Sequence, residues 1–315
     1  DTVFQKINLE RKVLLMKKIF LGKSKLEVSQ LGLGCINFGT KTNESDSFGL
    51  LDTYLENGGN FIDTANNYAI WSGGDGKQSE KTIGSWIFSR KNRKDYILAT
   101  KLGAYPKDIN SKGFSNMQGL GRKVILEEIE KSLNNLKTDY IDLLYLHVDD
   151  YKTPQEETMS TLNEIVSKGL VKEIGCSNFR TWRIENARNI CNKHDYKFFC
   201  AVQQRYTYLS PVLDADFFPQ VSADKEFADY INFYKDLTMV SHTSLLKGQY
   251  LRDDINLIEY DTRENREKLK KLRAEEKDPV SWVLKYITEQ FGGSVALFTT
   301  SNPKHLIENI RYFDM

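Results

Sequence analysis

Short runs of apolar residues alternate along this chain with longer stretches in which apolar positions recur every three or four residues. Short apolar runs are typical of buried strands, and the three- and four-residue spacing is typical of amphipathic helices. The predicted strands are LGLGCINF (31–38), FIDTA (61–65), YILATKL (96–102), IDLLYLH (141–147), VKEIGCSN (171–178), CAVQQRY (200–206), TMVSHTS (238–244) and VALFTTS (295–301). A helical stretch follows each strand, which indicates parallel strands joined by right-handed crossovers.

The number of these units favours a closed barrel over an open sheet, because eight strand–helix units are what such a barrel contains. Several helices end in glycine, at Gly58, Gly169 and Gly292, which suits a left-handed helix cap. The open dinucleotide-binding fold is disfavoured because the first strand, LGLGC, lacks the third glycine of G-x-G-x-x-G and the helix that should begin there. The sequence therefore predicts an α/β fold, a (β/α)8 TIM barrel.

Three segments lie outside the repeating units. The segment IFLGKSKLEVS (19–29) has two short apolar runs around a polar turn and predicts an N-terminal β-hairpin that plugs the bottom of the barrel. The segment RDDINLIEYDTRENREKLKKLRAEEKD (252–278) is rich in charge and predicts a solvated helix. Residues 1–15 precede Met16 and are expected to be an N-terminal extension or tag, and residues 16–315 are expected to form one barrel domain.

Composition excludes several classes of partner. The net charge is +1 over 315 residues, so no global field favours nucleic acid or an anionic membrane. No apolar run approaches the length of a membrane span, and none is expected. The four histidines form no H-x-x-x-H motif and no cluster with cysteine, so no metal site is expected. The cysteines lack C-x-x-C spacing, which fits a reducing compartment, and we expect a cytoplasmic location.

Polar side chains stand at the ends of three predicted strands, where Asp63 closes FID, Lys101 closes ILATK and His147 closes IDLLYLH. Tyr68 follows Asp63 by five residues. The carboxyl ends of parallel barrel strands meet at one mouth, so we expect these four side chains to converge. A tyrosine can give a proton to a carbonyl oxygen, and Lys101, held by Asp63, would lower its pKa. Tyr68 is therefore the predicted general acid, and His147 is predicted to orient the carbonyl.

These four residues, in this order and in these contexts, resemble the aldo-keto reductase superfamily, and the similarity extends from about Leu31 to Asn309. The resemblance implies NAD(P)H-dependent reduction of an aldehyde or ketone to an alcohol, with hydride from the nicotinamide and the proton from Tyr68. NADP(H) is the cofactor that the resemblance favours. NAD(H) is the alternative, because the strongly basic side chains that relatives place after the eighth strand are absent here.

The resemblance also implies which residues contact the cofactor. Ser177 and Asn178 in GCSNF, and Gln203 in AVQQRY, match the family residues that hold the nicotinamide carboxamide. His242 stands where many relatives have a tyrosine that stacks on the nicotinamide. The other expected contacts are Gly34, Cys35, Ile36 and Asp63 at the first strands, Ser244, Leu245 and Lys247 along the pyrophosphate, and Thr299, Thr300, Ser301, His305, Glu308 and Asn309 around the 2′-phosphate and adenine.

The substrate side of the mouth is less defined by the sequence. Tyr68 and His147 are joined there by Trp71, Tyr105 and Val148 as predicted substrate contacts. Aromatic residues near the mouth indicate a partly apolar pocket for a small-molecule carbonyl substrate, and the acidic pair Asp149 and Asp150 suggests a hydroxyl-bearing substrate such as a sugar. The identity of the substrate, the favoured direction and the oligomeric state stay open.

Two other functions also stay open at this stage. A slow or regulatory redox-sensing subunit would hold the nicotinamide with the same residues. A barrel hydrolase would pair Asp63 with a second carboxylate, for which Asp149 and Asp150 are the best candidates. The hydrolase leaves Tyr68 and Lys101 without a role.

Overall fold

Eight parallel strands close into a barrel in the computed structural model of this chain, which describes residues 16–70, 74–108 and 116–313. The strands are β1 (Lys18–Phe20) and β2 (Glu27–Ser29) of a separate hairpin, followed by the barrel strands β3 (Leu31–Gly34), β4 (Phe61–Asp63), β5 (Ile97–Leu102), β6 (Ile141–Leu146), β7 (Val171–Ser177), β8 (Ala201–Arg205), β9 (Thr238–His242) and β10 (Val295–Phe298). Neighbouring strands in the barrel follow chain order, and β10 closes it against β3. The predicted (β/α)8 TIM barrel is confirmed, while the predicted extension at residues 1–15 and the predicted contact Trp71 lie outside the described residues.

Each predicted strand contains an observed one, but several end earlier than their apolar runs. The first strand ends at Gly34, although its apolar pattern continues to Phe38. The Cys35 N–H donates to the Asp63 carbonyl at 2.9 Å, and the Phe38 N–H then turns back to the Cys35 carbonyl at 3.1 Å. An apolar pattern indicates burial, and Cys35 and Phe38 are buried in a turn at the mouth instead of in the sheet.

Helices follow the strands and pack against the outside of the barrel. Their bounds are α1 (Glu44–Glu56), α2 (Gln78–Arg90), α3 (Arg122–Leu136), α4 (Gln155–Ser167), α5 (Thr181–His194), α6 (Lys225–Tyr234), α7 (Arg263–Glu275), α8 (Pro279–Thr288) and α9 (Pro303–Phe313). The charge-rich segment contains α7, as predicted. Gly58, Gly169 and Gly292 have φ angles of 86°, 74° and 71°, so the left-handed conformation expected at these positions is present. Within the described ranges, no helix combines the length and the apolar character needed to cross a membrane.

The start of α8 shows how local sequence sets a helix boundary. The Asp278 carboxylate accepts hydrogen bonds from the N–H groups of Val280 and Ser281, each at 3.1 Å. Pro279 occupies the first turn, where its missing N–H costs nothing. An acidic cap followed by proline therefore begins the helix that leads into β10.

The hairpin of β1 and β2 closes the amino-terminal end of the barrel, as the sequence predicts. Leu21 and Val28 of the hairpin pack in one buried cluster with Phe61 and other inward-facing strand residues. The Gly22 N–H donates to the Thr238 hydroxyl, at the first residue of β9, at 2.8 Å. The hairpin thus seals the barrel floor and leaves the carboxyl ends of the strands as its open mouth.

Gly22 provides a test of this docking. A Cβ at Gly22 would lie 2.2 Å from the Asp236 carbonyl oxygen, and its φ angle is +52°. We expect Gly22→Ala to lower the free energy of unfolding by about 2–4 kcal/mol, from left-handed strain and overlap with fixed backbone. The measurement is urea unfolding followed by circular dichroism.

The matched control is Gly169→Ala. Its φ angle is +74°, and nothing lies within 4 Å of the added Cβ. It should cost only the left-handed strain, about 1–2 kcal/mol. Equal losses in the two variants would mean that the hairpin is not held against β9 as described.

Candidate active site

The four predicted catalytic residues lie together at the carboxyl end of the barrel. Asp63 is the last residue of β4, Lys101 lies one residue before the end of β5, and His147 directly follows β6. Tyr68 lies in the loop after β4. Asp63 and Lys101 are buried, at 1% and 0% exposure, while Tyr68 and His147 are partly exposed. Only the second pair can therefore be reached from the mouth.

The Lys101 ammonium has all three of its N–H donors in use. It forms an ion pair with Asp63 Oδ1, and it donates to the Thr64 carbonyl at 2.8 Å and to the Tyr68 hydroxyl oxygen at 2.9 Å. The Tyr68 oxygen therefore accepts from Lys101, which leaves its own O–H to point elsewhere. That O–H donates to Asp63 Oδ1 at 3.4 Å, a long hydrogen bond.

The electrostatics of this group differ from the expectation that Lys101 lowers the pKa of Tyr68. Burial, followed by the nearby Asp63 carboxylate, raises the pKa of the Tyr68 phenol well above 10.0. Burial also lowers the pKa of the Lys101 ammonium, and Asp63 opposes that shift. The expectation left out the burial of the phenol, which is the largest cause of the raised pKa, and the charge of Asp63 adds to it. The phenol consequently holds its proton at neutral pH.

His147 is a neutral imidazole beside Tyr68. The two ring centroids are 6.0 Å apart with an interplanar angle of 76°. Burial, and then the charges of Lys101 and His242, lower the pKa of His147 well below 6.5. Its Nδ1 is buried and has no hydrogen-bond partner in the described part of the chain. The ring therefore has unused hydrogen-bonding capacity next to the proposed acid.

Asn178 ties three strand ends together. Its Nδ2 donates to the His147 carbonyl and to the Ser177 hydroxyl, each at 3.0 Å. Its Oδ1 accepts from the Val221 N–H at 3.2 Å and lies 3.2 Å from His242 Nε2. Asn178 itself has a φ angle of +59°, a conformation that asparagine tolerates better than most residues. Ser177, Asn178 and His242 thus come together beside His147.

Gln203 reaches the catalytic carboxylate. It pairs with Ser177 across β7 and β8, and its Nε2 donates to Asp63 Oδ2 at 2.9 Å. Gln203 therefore contacts the Asp63–Lys101 ion pair, and Ser177 lies opposite Gln203 on the neighbouring strand.

The chain after β9 adopts an irregular backbone at the mouth. Burial, and then the charges of Arg205 and Lys101, lower the pKa of His242 to about 3, so this ring is neutral. The left-handed residues that follow are Thr243, Leu246, Lys247 and Gly248. Ser244, a predicted pyrophosphate contact, is buried, and its hydroxyl donates to the Ser241 carbonyl at 3.2 Å. Lys247 is exposed and Leu245 is partly exposed.

The residues after β3 border the catalytic carboxylate and the last strand. Cys35 is fully buried, and its N–H donates to the Asp63 carbonyl. Gly34 lies against Thr299, since a Cβ there would be 2.7 Å from the threonine hydroxyl. Ile36 is exposed. Gly34 therefore allows the close approach of β3 to the end of β10.

The segment after β10 leads into α9 through a hydroxyl-capped turn. The Thr300 hydroxyl accepts from the Asn302 N–H at 3.0 Å, and Asn302 Oδ1 accepts from the Lys304 N–H at 3.0 Å. Of the other predicted contacts here, Asn309 is buried. The exposed ones are Thr299, Ser301, His305 and Glu308.

Asp149 and Asp150, the two carboxylates that a hydrolase would use with Asp63, are both bonded to the protein. Asp149 accepts two hydrogen bonds from Arg183, at 2.7 and 2.8 Å. Asp150 accepts from the Leu120 N–H at 2.8 Å and from Thr153. Both hydrolase candidates are therefore committed to structural bonds. Among the described residues, no three histidine, cysteine, aspartate or glutamate side chains gather as a metal site requires.

Apart from Tyr68 and His147, the predicted substrate contacts that the structure describes are Val148 and Tyr105. Val148 is buried, directly after His147, and the Tyr105 hydroxyl donates to the Asp75 carbonyl at 2.7 Å. Both follow barrel strands at the carboxyl end.

Sequence reasoning passed over two residues that border the site. Tyr145 lies fully buried two residues before His147, with its ring centroid 5.9 Å from Lys101 Nζ. Arg205 ends β8, opposite His242, and its guanidinium is 4.2 Å from the centre of the Phe217 ring. Strand alternation was the available signal, because each lies two residues from a predicted site residue and so shares its face.

Comparison with known proteins adds to this geometry. A family model described as the Aldo/keto reductase family matches residues 30–315. Norsolorinic acid reductase stcV of Emericella nidulans is 39% identical over 189 residues, which are 58% of this chain and 47% of that protein. An aryl-alcohol dehydrogenase of Pestalotiopsis microspora is 32% identical over 209 residues, which are 64% of this chain and 53% of that protein. The chain spans about half the length of these two relatives.

A solved structure shares the fold over nearly the whole chain. The aldo-keto reductase AKR11C1 from Bacillus halodurans, in its holo form, matches with a TM-score of 0.75 at 24% identity, over 95% of this chain and 91% of that one. Similarity at this identity establishes the barrel architecture. The family model establishes kinship, because it covers almost all of the sequence that forms the barrel. We conclude that this chain belongs to the aldo/keto reductase family.

Proposed function

We propose that this protein reduces an aldehyde or ketone to an alcohol, with a hydride from a nicotinamide cofactor and a proton from Tyr68. The observation that carries the proposal is the Lys101 ammonium, whose three donors are all taken, one of them by the Tyr68 oxygen. This bond fixes the Tyr68 oxygen, and the Tyr68 proton, which is held only by a long 3.4 Å bond to Asp63 Oδ1, can pass to a substrate oxygen at the mouth.

The proton remains on Tyr68 until the substrate oxygen becomes basic. A bound reduced nicotinamide supplies the hydride that the carbonyl carbon accepts. The oxygen then carries negative charge, is a far stronger base than a phenolate, and takes the Tyr68 proton. The Lys101 ammonium, 2.9 Å away, stabilises the phenolate that remains. Asp63 keeps Lys101 charged in spite of its burial.

His147 is proposed to orient the substrate carbonyl as a hydrogen-bond donor. A neutral imidazole has one N–H donor and needs no charge for this role. The lowered pKa of His147 keeps it in that form. The partly exposed ring of His147 beside Tyr68 supports a role toward a ligand.

The nicotinamide end of the cofactor fits beside the catalytic group. Ser177 and Gln203 would hold the carboxamide, and the neutral ring of His242 would lie against the nicotinamide. A neutral ring suits this contact better than a protonated one, because the oxidised nicotinamide is itself a cation.

The phosphate end fits the irregular loops after β9 and β10. The N–H groups of Leu246 and Gly248 close the turn by donating to the Thr243 and Leu245 carbonyls, and the exposed Lys247 ammonium would meet the pyrophosphate. The exposed Thr299, Ser301 and His305 and the N-terminus of α9 would receive a 2′-phosphate. We therefore favour NADP(H), with NAD(H) as the alternative.

The first substrates to test are suggested by one relative. The protein of Pestalotiopsis microspora is named an aryl-alcohol dehydrogenase. Aryl aldehydes, with the corresponding aryl alcohols for the reverse direction, are therefore the substrate class that we propose.

We expect Tyr68→Phe to lower kcat by about three orders of magnitude, within the range that a general acid contributes. Cofactor affinity should stay near that of the parent, because the variant loses only a hydroxyl. The measurements are steady-state reduction of an aryl aldehyde and fluorescence titration with NADPH. Tyr234→Phe, which removes a hydroxyl that donates to Glu185 between α6 and α5, is the control and should change kcat little. A Tyr68→Phe kcat within tenfold of the parent would remove Tyr68 as the acid.

The pH dependence of reduction should lack an imidazole limb. Because the pKa of His147 lies well below 6.5, the ring stays neutral as the pH falls through 6.5. Because burial lowers the pKa of Lys101 from 10.5, the ammonium is lost before the pH reaches that value. We expect kcat/KM to be level between about pH 6 and 8 and to fall on the alkaline side.

His147→Gln is the control for this profile, since it keeps an N–H donor that does not titrate. Its profile should have the same shape at a lower level. An acidic limb centred near pH 6.5 in the parent that disappears in His147→Gln would contradict the neutral imidazole.

A further inference from the structure

Gln203 touches the catalytic carboxylate in a fixed orientation. Its Nε2 donates to Asp63 Oδ2 at 2.9 Å, and the side chain is buried. An ionised carboxylate can only accept, so the amide nitrogen and not the amide oxygen must face Asp63. The opposite atom of the amide, Oε1, is thereby turned away from Asp63 and is an acceptor.

Asp63 depends on this hydrogen bond. Its Oδ1 forms the ion pair with Lys101 and lies 3.4 Å from the Tyr68 hydroxyl. Among the described residues, Gln203 is the one donor to Oδ2. An unsatisfied oxygen on a buried carboxylate costs more than an ordinary lost hydrogen bond. Gln203 thus supplies the hydrogen bond to Asp63 Oδ2, while Lys101 pairs with Asp63 Oδ1.

The neighbouring amide, on Asn178, is committed to the protein. Its Nδ2 donates to the His147 carbonyl and the Ser177 hydroxyl. Its Oδ1 accepts from a backbone N–H and lies 3.2 Å from His242 Nε2. These four contacts fill the capacity of a primary amide. Of the two amides, Gln203 is the one with an atom available to a ligand amide.

We propose that Gln203 is a positioning residue that links recognition of the nicotinamide carboxamide to the Asp63–Lys101 ion pair. Oε1 accepts from the carboxamide NH₂, while Nε2 holds Asp63 Oδ2, so both contacts belong to one planar group. Binding of the ring fixes the plane of the Gln203 amide, and that plane fixes the rotation of the Asp63 carboxylate. The contact between Gln203 and Asp63 is present in the protein itself, whereas the identity of the ring rests on the proposed function.

The link is tested first in the protein without cofactor, by a double-mutant cycle on urea unfolding. Gln203→Leu strands Asp63 Oδ2 and is expected to raise the unfolding equilibrium constant about tenfold or more. The comparison background carries Asp63→Asn with Lys101→Met, which removes both charges together and so strands neither. There, Gln203→Leu should have an effect smaller by about threefold or more. Equal effects in both backgrounds overturn the link.

Gln204→Leu is the matched control. Gln204 is the next residue of β8 and equally buried, but strand alternation places it on the opposite face, where its Nε2 donates to the Phe179 carbonyl at 2.5 Å. Its replacement should destabilise both backgrounds alike. The same coupling for Gln204 as for Gln203 would show a general weakening of β8 and would also overturn the link.

The carboxamide end is tested by equilibrium fluorescence titration with NADP⁺ and with its 3-acetylpyridine analogue, which carries a methyl group in place of the NH₂. The parent is expected to bind the analogue about tenfold more weakly, since the site then has an unpaired buried acceptor. Gln203→Leu should bind the two with similar affinity. Undiminished discrimination in Gln203→Leu overturns the assignment of Oε1.

Turnover separates positioning from simple cofactor binding. With saturating NADPH, Gln203→Leu should lose kcat as well as cofactor affinity, because Asp63 no longer holds Lys101 in place. A rise in the cofactor KM with unchanged kcat would reduce Gln203 to a binding residue. If the parent binds neither NADP(H) nor NAD(H), the proposed function fails together with the carboxamide contact, and the unfolding cycle still decides the link to Asp63.

Discussion

The buried ion pair between Asp63 and Lys101 is the interaction on which the rest of the site depends. Taking two charges out of water is costly, and such a pair persists only when its remaining donors and acceptors are filled. Here the Thr64 carbonyl and the Tyr68 oxygen take the other Lys101 donors, and Gln203 supplies Asp63 Oδ2. The bonds that stabilise the charges are therefore also the bonds that hold the Tyr68 hydroxyl in place.

The barrel assembles this charged group from residues on several strands. Asp63 lies on β4, Lys101 on β5 and Gln203 on β8, and the barrel brings the carboxyl ends of these strands together. Lys101 is 38 residues from Asp63 in the chain, and Gln203 is 140 residues from it. The hairpin seals the opposite end with apolar side chains, so water is kept from the underside of the charged pair. A low-dielectric floor and a polar mouth are what a proton-donating phenol with a raised pKa requires.

Much of this could be read from the sequence, because strand burial and helix spacing are local patterns. The strands, the hairpin and the glycine caps follow from them, and strand ends in a parallel barrel bring Asp63, Lys101 and His147 together. Contacts between distant segments could not be read. The Asn178 amide oxygen contacts residues 43 and 64 positions away in the chain, and the Ser244 hydroxyl donates to the Ser241 carbonyl. Loop packing, and not the local sequence pattern, sets the orientation of these two side chains. The pKa of Tyr68 likewise depends on burial that only the folded barrel shows.

The central claim is that this buried pair serves proton transfer in a nicotinamide-dependent reduction. The most direct test compares the parent with the variant carrying Asp63→Asn and Lys101→Met, following NADPH and NADH consumption with an aryl aldehyde and checking both proteins for cooperative unfolding. The account predicts turnover by the parent with at least one reduced cofactor, and a loss of about 10²–10⁴-fold in the folded double variant. Turnover of the folded double variant at the parental rate, or a parent that binds neither reduced cofactor, would contradict it.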